Sequence, residues 1–233
     1  MILRSLALSG VVAALAACDQ PREETPATPP ASGTTLTSPA ILFLGTSLTA
    51  GYGLTPEEAY PALIQQKIDS AGLDYRVINA GVSGETSAGA LRRVDWLFQQ
   101  PISMLVLETG ANDGLRGLPV DSLRANIDAI LRRAKRLQPS VKLALIGMRM
   151  PPNYGRDYSR RFEEIYPDVA RAHGATLVPF LLAGVGGVST LNQADGIHPT
   201  AEGQRQMAET VWRVLEPELK KAEKTKGPTD RSA

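Results

Sequence analysis

Residues 41–54 read Ile41-Leu-Phe-Leu-Gly45-Thr46-Ser47-Leu-Thr49-Ala-Gly51-Tyr52-Gly53-Leu54, and they decide how the rest of the chain is read. Four consecutive apolar residues, Ile41 to Leu44, suit a strand buried on both faces, and Gly45 ends it abruptly. Ser47 therefore falls just past a strand end. In an open α/β sheet that edge is where ligands bind, so a serine presented there is either a nucleophile or the hydroxyl of a phosphate-binding loop.

Outward from this stretch the same punctuation repeats. Thr55-Pro56-Glu57-Glu58 carries a cap, a proline at the first helical position and a glutamate three residues after the cap, and a helix over about 60–70 follows, with Gly72 as its stop. Tyr75 to Asn79 reads as a second strand, followed by the Gly- and Ser-rich loop 80–87 and a helix to about Gln99. Ser103 to Glu108 is a third buried strand running into Thr109-Gly-Ala-Asn112-Asp-Gly114. Asp121 is placed to cap the next helix, whose apolar face is Leu123, Ile127, Ile130, Leu131, Ala134 and Leu137. Strand four is Val141 to Ile146. Loop 148–155 is long and irregular enough to line a pocket wall, and it precedes a helix over about 157–172 and a fifth strand, Thr176 to Phe180. Residues 181–192, with three glycines, are expected to pass loosely over the surface. Asp195-Gly-Ile-His198-Pro then leads into a closing helix from Ala201 to about Leu219. Its stripe of Met207, Ala208, Val211, Trp212, Leu215 and Leu219 reads as core. Alternating strands and helices imply a parallel sheet with helices on both faces, and the polar clusters at 45–47, 81–87, 110–113 and 195–198 can then converge on one sheet edge.

Composition limits the possible partners. The chain has 233 residues, 43% hydrophobic and 21% charged, with a net charge of +1, so nothing electrostatic points to nucleic acid. At the N-terminus, Arg4 followed by the apolar run Leu6 to Leu15 reads as a signal peptide, too short to span a membrane. Leu15-Ala-Ala-Cys18 resembles the bacterial lipobox, and Cys18, the only cysteine, would be lipidated there, anchoring an exported protein to a membrane of the cell envelope. Residues 1–18 are thus read as a lipoprotein-type signal peptide and 19–40 as a Pro/Thr-rich tether. That tether of 22 residues reaches roughly 25 Å as a coil or about 70 Å as polyproline. Residues 41–219 form the domain and 220–233 a disordered tail.

The sequence has two histidines. His173 stands at a helix end before Gly174, a structural position favoured by the helix dipole. His198 lies in a loop three residues after Asp195, where a tight turn can set the carboxylate on one ring nitrogen and leave the other facing a serine. Taken alone, the same residues also suit a plain turn in which Asp195 caps backbone amides. Acyl transfer further needs oxyanion donors, and candidates exist at the Ser47 N–H, the Gly84 N–H and the Asn112 amide. Each also has a local structural use, as helix cap, turn residue or backbone partner.

Together, and in this order, the four clusters resemble the signature blocks of the GDSL or SGNH hydrolases: Gly45-Thr-Ser-Leu48, the loop ending in Gly84, Gly110-x-Asn112-Asp113, and Asp195-x-x-His198. The likeness covers nearly all of residues 40–219 and is closest in appearance to the bacterial thioesterase I, lysophospholipase and arylesterase branch. It implies a three-layer α/β/α sandwich with a flavodoxin-like five-stranded parallel sheet. It also implies Ser47 as nucleophile, His198 as base, Asp195 orienting it, an oxyanion hole of Ser47, Gly84 and Asn112, no metal and no cofactor. The substrate would be a small-molecule or lipid carboxylic ester or thioester. The chain departs from the pattern at Thr46, where the family usually has aspartate, and at Ala111, where the branch often has glycine; altered pocket rigidity or rate with retained chemistry is expected. Alternatives are a flavodoxin-like phosphate- or flavin-binding module, which leaves His198 without a task, an inactive acyl or glycan binder, and a glycan O-deacetylase of the same family.

Overall fold

The computed structural model describes residues 38–226. Cys18, the signal-peptide segment and most of the tether lie outside the described residues, as does the tail beyond Lys226.

Five strands make one sheet in the order β2-β1-β3-β4-β5, every pairing parallel. This is the flavodoxin-like order, and its chain reversal falls between β1 and β3. β1 (Ala40–Gly45) and β3 (Met104–Glu108) are buried along their whole length, as expected for central strands of an all-parallel sheet covered on both faces. β2 (Arg76–Gly81) forms one edge and is only partly buried, while β4 (Lys142–Ile146) leads to the short edge strand β5 (Thr176–Val178).

The covering helices fall into two packed sets. α2 (Tyr60–Ser70) lies against α7 (Ala201–Lys226), whereas α3 (Ser87–Leu97) packs on α5 (Val120–Leu137), which in turn meets α6 (Arg156–His173). The apolar stripe of α5 is buried from Leu123 to Ala134, but Leu137 at its end is exposed. Met207, Ala208, Val211, Leu215 and Leu219 are buried core, and Trp212 packs partly buried against them. Two very short helices sit directly after β1 and β3: α1 (Ser47–Ala50) and α4 (Ala111–Leu115).

Several boundaries differ from the sequence reading. Asp121 does not cap α5; the helix starts at Val120 after Pro119, and Asp121 sits in the first turn, paired with Arg161 of α6. There its charge still favours the positive helix end. α7 continues to Lys226 instead of stopping near Leu219, helped by the Lys220–Glu216 pair one turn apart. Segment 181–192 is not loose: Leu181 and Val185 are buried, and the Asn192 side chain donates to the carbonyls of Val185 and Val188. Its glycines let the backbone fold tightly enough for those carbonyls to meet one amide.

Candidate active site

The turn that carries Ser47 is built from β1 outward. Gly45 ends the strand, Thr46 takes an extended conformation as cap of α1, and Ser47 is the first helical residue. The Ser47 N–H has no partner within the described fold, as expected for the first turn of a helix.

Across the edge of the sheet, the loop before α7 brings the imidazole. His198 Nε2 lies 3.0 Å from Ser47 Oγ, and its Nδ1 lies 2.6 Å from Asp195 Oδ2. The other Asp195 oxygen accepts the backbone N–H groups of Ile197 and His198, each at 3.0 Å. These bonds, that from the His198 N–H first, hold the Asp195 carboxyl down to about 2, so it is an anion at any working pH. A carboxylate on Nδ1 makes that nitrogen the donor and leaves Nε2 free to accept from the serine hydroxyl.

The loop itself is pinned. The Gln193 N–H donates to the His198 carbonyl at 2.7 Å, and Asn192 and Pro199 form a short antiparallel bridge. Gln193 Nε2 also donates to the Tyr52 carbonyl, and the Tyr52 ring lies 4.5 Å from the imidazole, centre to centre. Tyr52, Asn192 and Gln193 thus support the histidine, and nothing in their spacing marks them. His173, the other histidine, is far from this cluster in role: it pairs with Asp128 of α5 at 2.7 Å, as its helix-end position implied.

On the opposite wall, Gly84 holds a left-handed backbone at φ 77°, which a side chain would strain. Its N–H, like that of Ser47, has no partner among the described residues. The loop is braced by Glu85, paired with Arg93, whose guanidinium also donates to the Ala80 carbonyl. Asn112, in the first turn of α4, spends one amide hydrogen on the Glu85 carbonyl at 3.0 Å and retains the other. Its neighbour Asp113 points the other way, accepting from the N–H and hydroxyl of Ser87 at the start of α3. Ser47, Gly84, Asn112 and His198 all line one cavity of about 700 Å³. Leu48, Leu115, Met148, Met150, Phe180 and Leu182 supply much of its apolar wall, so loop 148–155 and segment 181–192 both contribute to it. Among the described residues no group of His, Cys, Asp and Glu is arranged to hold a metal ion.

Such an arrangement can do one chemistry well: a hydroxyl beside an imidazole, an anion on the far ring nitrogen, and N–H donors across an apolar pocket suit attack on an acyl carbonyl. A flavodoxin-like α/β/α sandwich with a serine, a histidine and an aspartate in hydrogen-bonded contact at its sheet edge is the class that fold and site define. Residues 43–206 match the model of the GDSL-like Lipase/Acylhydrolase family, and the chain belongs to that family. It is accordingly a hydrolase of ester bonds. It is 38% identical over 218 residues to Esterase TesA of Pseudomonas aeruginosa, covering 93% of this chain and 100% of that protein. Thioesterase 1/protease 1/lysophospholipase L1 of Escherichia coli is 36% identical over 178 residues, covering 76% and 83% of the two chains. Among solved structures, the psychrotrophic esterase EstA from Pseudoalteromonas, inhibited by monoethylphosphonate, superposes with a TM-score of 0.73 at 37% identity. That superposition covers 78% of this chain and 98% of EstA.

Proposed function

We propose that the protein is a serine esterase that hydrolyses carboxylic esters or thioesters through an acyl-enzyme, with Ser47 as nucleophile. The observation that carries this reading is the relay from Asp195 through His198 to Ser47 Oγ, at 2.6 and 3.0 Å, opening on an apolar pocket. In the first half-reaction His198 Nε2 takes the hydroxyl proton as Oγ bonds to the acyl carbon. The imidazolium so formed is stabilised by Asp195, and it returns the proton to the departing alkoxide or thiolate. Ser47 and Gly84 N–H groups and the free Asn112 amide hydrogen receive the oxyanion. A water molecule, deprotonated by the same nitrogen, then releases the acid.

The apolar wall favours an acyl chain or aryl group over a sugar, which leaves the glycan O-deacetylase alternative without support. Nor does the phosphate- or flavin-binding alternative find any, because α1 has only four residues and the Ser47 hydroxyl is already engaged by His198. An inhibited phosphonate form of EstA is consistent with a nucleophile of this kind. A fluorophosphonate probe tests the assignment: it should label Ser47 stoichiometrically with loss of activity. Labelling of other serines in an active protein whose Ser47 stays unmodified would refute it. A panel of esters and thioesters across acyl lengths, with Ser47→Ala as control, then ranks substrates.

The lipobox-like Leu15 to Cys18 supports an exported, lipid-anchored protein of the cell envelope, acting on lipid or exogenous esters. Complete membrane partitioning of a Cys18→Ala variant would sink that part of the proposal.

A further inference from the structure

Beneath the nucleophile turn lies a carboxyl group to which the acyl-transfer scheme gives no part. Glu108, the last residue of β3, is fully buried. Its Oε2 accepts the Thr46 N–H at 2.7 Å, the Thr46 hydroxyl at 2.9 Å and the Thr49 hydroxyl at 2.9 Å, and its Oε1 lies 3.1 Å from the same Thr46 hydroxyl. Thr49 Oγ is also 2.9 Å from the Tyr60 hydroxyl. A threonine has one proton to give, so with Thr49 donating to Glu108 it accepts from Tyr60. Every group around the carboxyl is then a donor, and all three donors converge on Oε2, which accepts them.

We propose that Glu108 is a positioning residue for the hydrolysis: its buried carboxylate clamps the Thr46–Thr49 turn, and so sets Ser47 Oγ against His198 and Ser47 N–H into the pocket. This rests on the reading of Ser47 as nucleophile. The clamp grips both flanks of Ser47, the residue before it through backbone and hydroxyl, the residue two after it through its hydroxyl. A second set of bonds finishes the frame. Gln204 of α7 accepts from the Tyr60 N–H and donates to the Leu48 carbonyl. Close packing explains Gly45, since a Cβ there would lie 2.0 Å from Thr49 Oγ and 2.8 Å from Glu108 Oε2.

The residue at 46 follows from the same geometry. Threonine can donate to the carboxylate; a second carboxylate at that distance cannot, and two such groups would have to share a proton. Among the described residues no cation pairs with Glu108 to relieve it. The titratable side chains whose ionisation feels its charge are Tyr60 of α2 and Tyr166 of α6, and both stay neutral because burial first, and then Glu108, push them up. Burial likewise holds the Glu108 carboxyl above its ordinary value, the bonds from Thr46 and Thr49 offsetting that only in part.

The test uses the whole protein and a chromogenic ester. Glu108→Gln should lower kcat at least tenfold with KM within about twofold, since misplacing a reacting group by about an ångström costs on the order of a hundredfold. If that variant does not fold, the pair Thr46→Val and Thr46→Ser decides: serine restores most of the kcat that valine loses. Thr46→Asp should acquire a descending alkaline limb in its kcat profile, absent in the wild type, as the carboxyl pair gives up its shared proton. Folded Glu108→Gln with wild-type kcat, equal activity in the valine and serine variants, or an unchanged pH profile for Thr46→Asp would each overturn the proposal. Fluorophosphonate labelling of wild-type Ser47, run alongside, separates the two readings. Unlabelled Ser47 in active protein sinks the serine mechanism, while labelled Ser47 with indifferent Glu108 variants sinks only the clamp.

Discussion

Gly45→Ala is the smallest perturbation that strikes the frame under the Ser47 turn. The added methyl carbon would lie 2.0 Å from Thr49 Oγ and 2.5 Å from Thr49 Cβ, both far inside van der Waals contact. Thr49 is fully buried and stiff at its branched Cβ, so it cannot swing aside without surrendering its bonds to Glu108 and Tyr60. A hydrogen bond to a charged acceptor contributes about 1.5–3 kcal/mol and one between neutral groups about 0.5–1.5 kcal/mol, so the loss is about 2–4.5 kcal/mol. Should Thr49 hold its place instead, overpacking costs about 1–3 kcal/mol. For a domain of this size each kcal/mol lowers Tm by about 2–4 °C, giving a fall of about 4–18 °C if the bonds are lost and about 2–12 °C if they are kept. Circular dichroism melting reads that shift, and steady-state kinetics on the folded variant should show kcat reduced more than KM is raised. A Gly45→Ala protein melting within about 2 °C of wild type with unchanged kcat would refute the reasoning, because the close approach would then carry no energetic weight.

Other outcomes follow from the same coordinates. Asn112→Ala should lower kcat by about a hundred- to a thousandfold with little change in KM, as expected for a donor used chiefly in the transition state; a drop under about threefold would remove Asn112 from the oxyanion site. His198→Ala should abolish turnover, whereas His173→Leu should keep kcat and lose about 1 kcal/mol of stability with the Asp128 bond, measured by urea unfolding. Asp195 is depressed to about 2, so its interactions stabilise the fold above the ordinary carboxylate range and fade as pH falls toward 2. Asp195→Asn should therefore be less stable than wild type at neutral pH, with the gap closing on acidification.

Much of this was legible in the chain because it depends on short-range pattern. Ile41–Leu44 followed by Gly45 marks a buried strand and its end, and β1 and β3 lie where apolar runs stop at glycine-rich loops. The Asp195–His198 contact needs only a three-residue turn, and Gly84 announces a left-handed backbone by its residue type. Segment 181–192 misled because glycines read as looseness; its order comes from Asn192 reaching back to Val185 and Val188. Asp121 misled because capping residues also populate first turns, and Pro119 had already set the start of α5.

Local pattern by itself determined the strand–helix alternation, the edge of the sheet where the polar clusters gather, and the residue types on which the proposed acyl transfer draws. It could do so because periodicity and turn chemistry act over a few residues. Tertiary structure alone decided which groups touch: Ser47 and His198 meet across 151 positions of sequence, and Thr46 meets Glu108 across 62. It also gave Thr46 its partner, since only the pairing of β1 with β3 brings the buried Glu108 carboxyl to its N–H and hydroxyl.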